Sequence, residues 1–155
     1  MTMATQTDRI HKEILLKAPQ ARVWQAVSDA QRFGAWFGVR LDGSFTPGAV
    51  VRGQILEAGW EHVPFEMTVD RVEPERLISF RWHPNADDVQ HDYSNEPTTL
   101  IVFELQPQSD GVLLTIDESG FDNIPLARRL EAYRSNEGGW TEQMQRIARY
   151  VGRDA

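Results

Sequence analysis

From Val39 to Glu118 apolar residues recur at every second position, and from Ile124 to Val151 the period becomes that of a helix. This switch constrains the fold more than any other feature of the chain. Period-two alternation sends one side of a strand into a core and the other into water. Six such runs follow one another, around Val39–Phe45, Val51–Leu56, Phe65–Val69, Ile78–Trp82, Ile101–Leu105 and Leu114–Glu118. Parallel neighbours would need long crossovers between them, so consecutive strands of this kind form an antiparallel meander. The stretch Asp117-Glu118-Ser119-Gly120-Phe121 then joins the last strand to the helical segment, which is the long element able to cover one face of the sheet. A helix laid across a curved sheet encloses a hollow of ligand size.

The remaining elements fit around that frame. Residues 1–8 read as a frayed tail, and residues 9–152 as one domain. Ile10, Lys12, Ile14 and Leu16 set a first strand, with Leu15 the large apolar residue on its other side. Pro19 suits the start of a helix, and Val23, Trp24 and Val27 follow at helical spacing. A second short helix spans Ala30 to Phe37, with Phe33, Trp36 and Phe37 on its buried side and Gly38 closing it. Gly43 is expected to mark a bulge. Thr46-Pro47-Gly48, Ala58-Gly59 and Glu73-Pro74-Glu75 are turns. Residues 84–97 form a polar connection too long for a hairpin, expected as a lid or a bend over a pocket mouth. In the C-terminal helix Leu126, Leu130 and Tyr133 are expected on one buried stripe. Trp140, Met144, Ile147, Ala148 and Val151 are expected on another, with a kink or break at Gly138-Gly139.

A chain of 155 residues buries roughly 70% of its unfolded surface and needs no covalent staple. It has no Cys, which removes disulfides, thiolate metal sites and a thiol nucleophile, and fits a cytoplasmic location. The formal net charge of -7 opposes a nucleic-acid surface, which needs clustered Lys and Arg. No stretch is apolar and long enough to span a membrane. Five Trp is a high count, and large aromatics serve both cores and apolar pockets.

Among polar candidates Glu118 stands out, because alternation through Leu114 and Ile116 turns it toward the covered face. A buried carboxylate must be paired or protonated. One reading is structural: an ion pair with Arg128 or Arg129, or capping of the turn at Ser119-Gly120. The other is functional: orientation of a ligand donor, or general-base work. His62, His83 and His91 with Asp87, Asp88 and Asp92 lack metal-ligand spacing, so no metal is expected. There is no phosphate-binding glycine loop, and no cofactor is expected. Ser119 lacks the surroundings of a nucleophile elbow and reads as a turn residue. Arg81, with Ser79 and His83, reads as the solvent side of its strand. Trp24 and Trp36 read as anchors of the short helices.

Several ordered pieces together resemble a known family. They are Ala18-Pro19 with Val23-Trp24, Trp36-Phe37-Gly38, Val72 to Leu77, Phe80-Arg81-Trp82, Thr99 with Phe103-Glu104-Leu105, Glu118-Ser119-Gly120-Phe121 and Gly139-Trp140. In order and spacing they resemble the helix-grip fold of the START-like (SRPBCC, Bet v-like) superfamily. Within it they resemble the family named for the activator of heat-shock protein 90 ATPase homologues. The resemblance implies an α+β fold, with a curved antiparallel sheet of six to seven strands wrapped around a long C-terminal helix and two short helices after the first strand. It also implies a pocket between sheet and helix.

The expected occupant is a small apolar or aromatic molecule. From the sheet, Phe65, Met67, Phe80, Trp82 and Phe103 are expected to line the pocket. Ile116 and Glu118 join them from the last strand, and Tyr133 and Trp140 from the helix. An enzyme of the polyketide cyclase, aromatase or hydrolase type on the same scaffold is the first alternative. A chaperone-regulating interaction module in the stress response is the second. The namesake's additional N-terminal domain has no counterpart before Ile10, which puts ligand binding ahead of it.

Overall fold

Seven strands lie in the spatial order β1-β7-β6-β5-β4-β3-β2, each antiparallel to its neighbours. The computed structural model describes residues 8–152. The first seven residues of the expected tail lie outside them. Asp8 is held, its carbonyl accepting from the Gly120 amide at 3.1 Å. The chain runs β1 (Arg9–Leu16), α1 (Gln20–Ser28), α2 (Ala30–Phe37), β2 (Val39–Asp42), β3 (Val50–Ile55), β4 (Pro64–Glu73), β5 (Leu77–Trp82), β6 (Thr99–Gln108), β7 (Gly111–Ser119), a 3-10 turn (Phe121–Asn123) and α3 (Leu126–Gly152). Strands β2 to β7 are the meander, and β1 closes the order by pairing with β7. This is the helix-grip arrangement.

Local chemistry explains the boundaries. Pro19 caps α1, Asp29 caps α2 by accepting from the Arg32 amide, and Gly38 ends α2 in the left-handed conformation. The carbonyl of Leu16 leaves no room beside Gly111: a Cβ there would stand 2.1 Å from its oxygen, at a φ of +147°. That residue lets β1 pair closely with the start of β7. Gly43 does not form a bulge. It sits just past β2, and its positive φ ends the strand. The register shift lies instead between Val69 and Arg71, where Asp70 accepts a hydrogen bond from Ser79 Oγ at 2.8 Å. Ser79 is therefore buried rather than solvent-facing, while Arg81 beside it is exposed.

The concave face is covered by all three helices, not by α3 alone. Phe33 of α2 is fully buried, with ring centroids 5.8 Å from Phe80 and 5.9 Å from Phe103. Trp36 donates its indole N–H to the Ala26 carbonyl at 2.8 Å, which locks α2 to α1. The space around Phe80, Phe103 and Ile116 is packed solid as a result.

Helix α3 is continuous, with no break at Gly138-Gly139. Both glycines face solvent, neither has a positive φ, and a Cβ at either would meet nothing within 4 Å. Glycine in an exposed helix interior costs backbone entropy relative to alanine. Gly138→Ala and Gly139→Ala are each expected to stabilise by about 0.5–1 kcal/mol in chemical denaturation. A loss of stability in either would mean that the helix does deform there.

The stripe expected from Trp140 to Val151 does face inward, but the one expected at the start of the helix does not. Leu126 and Leu130 are 78% and 60% exposed. The inward stripe is Ala132, Trp140, Met144, Ile147 and Val151, with Arg128 and Asn136 partly buried along the same face. Among the described residues no helix is long and apolar enough to cross a membrane.

Candidate functional site

Glu118 lies on β7 opposite Ile10 and Ile101, and alternation carries its side chain into the concave face. It is 0% exposed. Four side chains donate to it. Trp140 Nε1 of α3 reaches Oε1 at 2.8 Å, and Trp82 Nε1 of β5 reaches Oε2 at 2.7 Å. Thr99 Oγ1 of β6 reaches Oε2 at 2.5 Å. The Asn136 amide of α3 is shared between the two oxygens at 3.0 and 3.1 Å. The two indoles are stacked with centroids 5.8 Å apart, so a single carboxylate ties β5, β6, β7 and α3 together.

Burial pushes the Glu118 carboxyl above its usual range. The hydrogen bonds from Thr99, Trp140, Trp82 and Asn136 oppose that shift without cancelling it. The expected ion pair is absent. Arg128 donates to Glu96 at 2.8 Å and to the Pro84 carbonyl at 2.8 Å, and Arg129 donates to the Ile124 carbonyl. Both guanidiniums are held by the chain at the near end of α3, away from the carboxylate. Neutral N–H and O–H donors do the work that a cation was expected to do.

Trp82 and Asn136 each have a second side. With Ser135 they border a cavity of 560 Å³, within the range of about 300–1,000 Å³ for small-molecule sites. Its apolar wall comes from Ile55 at the end of β3, from Val63 just before β4, from Pro64 and Phe65 at its start, and from Trp82. Trp60 of the β3–β4 connection adds an indole. The 84–97 loop closes another side, through Asn85, Ala86, Asp87, Asp92, Tyr93 and Ser94. That loop is pinned to α3, since Arg128 binds Pro84 and Glu96 and lies 4.7 Å from the centre of the Tyr93 ring. His83 Nε2 donates to the Glu96 carbonyl at 3.0 Å.

The expected pocket residues are distributed over four places. Phe65 and Trp82 border the cavity. Glu118 and Trp140 lie one layer behind it, joined to it through Trp82 and Asn136. Met67, Phe80, Phe103 and Ile116 belong to the solid core beside α2. Tyr133 packs on Phe121, donates to the Arg9 carbonyl at 3.0 Å, and borders a separate groove with Ile10, His11 and Lys12. Sequence reasoning missed Thr99 and Asn136. Asn136 precedes Trp140 by one helical turn, and that spacing was a usable signal. Trp60 gave no such signal, because its neighbours are polar. Among the described residues no group of His, Asp and Glu has the geometry to hold a metal ion.

Residues 17–152 match the model of the family described as activator of Hsp90 ATPase homolog 1-like protein. No curated protein sequence matches the chain. Among solved structures it is similar to DynU16, from the dynemicin biosynthetic locus, at 28% identity and a TM-score of 0.70. That match covers 94% of this chain and 47% of DynU16, so the chain spans about half of that protein's length. The protein MLL2253 from Mesorhizobium loti is similar at 20% identity and a TM-score of 0.74, over 95% of this chain and 98% of that one. Aha1 from Colwellia psychrerythraea, solved as a dimer, is similar at 15% identity and a TM-score of 0.69, over 92% and 95%. The last two likenesses concern the fold alone.

Proposed function

We propose that this chain, which belongs to the activator of Hsp90 ATPase homolog 1-like family, binds a small apolar or aromatic molecule in the cavity beneath the 84–97 loop. One observation carries the reading: a 560 Å³ space walled by Ile55, Phe65 and Trp82 on one side and by a loop clamped to α3 on the other. Desolvating a ligand against that wall is favourable by roughly 25 cal/mol per Å² of apolar surface removed from water. The likeness to DynU16, a protein of a biosynthetic locus, points toward small molecules as well. An enzyme reading is weaker, because the acid or base that it relied on, Glu118, has both oxygens engaged and no exposed surface.

The test is saturable binding of the neutral probe N-phenyl-1-naphthylamine, followed by quenching of Trp emission. One-to-one binding is expected in the wild type. Ser135→Trp adds bulk at the cavity wall on an exposed position and should weaken binding by about tenfold, or 1.4 kcal/mol. Equal binding by the variant would place the probe elsewhere, and no saturable quenching would remove the reading.

A second reading is contact with a heat-shock protein 90-type chaperone. The family description and the solvent-facing Leu126 and Leu130 support it. A stable complex in a pulldown with the purified chaperone would favour it over ligand carriage.

A further inference from the structure

The walls of the cavity carry charge of one sign only. Glu57, Glu66, Asp87 and Asp92 border it, and among the described residues no Lys or Arg does. Glu66 is balanced by Arg52, whose Nε lies 2.9 Å from it. Arg128, the nearest cation of the loop clamp, is balanced by Glu96 at 2.8 Å. Among the described residues Glu57, Asp87 and Asp92 have no cationic side chain in an ion pair, which leaves three negative charges around one aromatic space.

The aromatic lining acts in the same direction. The faces of Trp and Tyr rings attract cations through the ring quadrupole. Tyr93 already engages a cation in this way from outside the cavity lining, because the Arg128 guanidinium sits 4.7 Å from the centre of its ring. Trp60 and Trp82 present further indole surface to the cavity. An anionic ligand entering the space would meet like charge and π faces, with no guanidinium or ammonium on the walls to offset its desolvation. A cationic one would meet carboxylates and rings.

Resting on the ligand-binding reading above, we infer that the cavity selects an organic cation. The ligand class is an aromatic or apolar amine or quaternary ammonium, its body against Phe65 and Trp82 and its charge toward Glu57, Asp87 and Asp92.

The test compares three probes with one ring system: 1-naphthylmethylamine, 1-naphthylmethanol and 1-naphthoate, titrated calorimetrically at neutral pH and 0.15 M salt. The amine is expected to bind at least tenfold more tightly than the carboxylate, with the alcohol between them. The combined variant Glu57→Gln, Asp87→Asn, Asp92→Asn should lose most of the preference while binding the alcohol as before. A control with the same change of net charge, Glu13→Gln, Asp110→Asn, Glu142→Gln, alters carboxylates outside the cavity and should keep the preference.

If the alcohol binds but the amine is no tighter than the carboxylate, the charge assignment fails and the binding reading stands. The assignment also fails if the control variant loses the preference as completely as the cavity variant, because general acidity would then be the cause. If none of the three probes binds up to millimolar concentration, the binding reading fails and this inference falls with it.

Discussion

Replacing Glu118 with Ala is expected to destabilise the protein by roughly 3–5 kcal/mol, the largest loss available from a single polar side chain here. The carboxylate is the common acceptor for Trp82, Thr99, Asn136 and Trp140. Removing it strands indole N–H groups that can only donate, in a place water does not reach. Glu118→Gln separates hydrogen bonding from volume. Trp82 and Trp140 donate to different oxygens, so an amide in that place must set its own NH2 against one of them. The expected cost is about 1–3 kcal/mol for one unsatisfied buried donor. No lone cation is left behind, because neither Arg128 nor Arg129 is the partner.

The comparison of wild type with Glu118→Gln has a definite dependence on pH. Burial raises the Glu118 pKa in the folded state, while the unfolded value is about 4.3. The folded state therefore binds the proton more tightly. The contribution of Glu118 is fully present below the unfolded pKa and is lost as pH rises through the folded one. The stability gap between wild type and the Gln variant should narrow as pH rises above about 4.3. Urea denaturation of both proteins across that window measures it. A gap that widens with pH would show that the four donors outweigh burial and hold the group ionised. A Glu118→Ala variant as stable as wild type would mean that the indoles find other acceptors.

Phe33→Ala is expected to cost about 3–5 kcal/mol, as for other fully buried phenylalanines. Phe33 is the ring on which the aromatic core converges. It contacts Trp36, Phe37, Phe45, Phe80 and Phe103 at centroid distances from 4.9 to 5.9 Å. Removing it empties the space between α2 and the sheet, whose surroundings relax only in part. Phe33→Leu should cost less, since it keeps most of the apolar volume. Binding at the cavity should survive per folded molecule, because Phe33 does not border it. A loss under about 1 kcal/mol for Phe33→Ala would contradict the close packing of α2 inside the sheet.

The secondary elements and their order were set by local patterns that tertiary packing had no reason to overrule. Alternation through Phe65, Met67 and Val69 or Ile101, Phe103 and Leu105 can satisfy only a strand buried on one face. The inward direction of Glu118 followed from that same alternation. The sequence alone could not determine how three helices divide one concave face. Phe33, Trp36 and Phe37 were legible as a buried stripe, yet what they cover depends on where α2 docks, and that docking filled the space around Phe80 and Phe103. The setting of the first turns of α3 was hidden for a related reason. Its inward face includes Arg128 and Asn136, polar residues satisfied only by partners far away in sequence: Pro84 and Glu96 for one, Glu118 for the other. A hydrophobic period weighs Leu126 and Leu130 by their own chemistry and turns them inward. The folded chain weighs the hydrogen bonds of a buried carboxylate as well. Tertiary structure alone decided that Trp82 and Trp140 donate to that group, and that the cavity opens beside it, under the loop, rather than at the middle of the sheet.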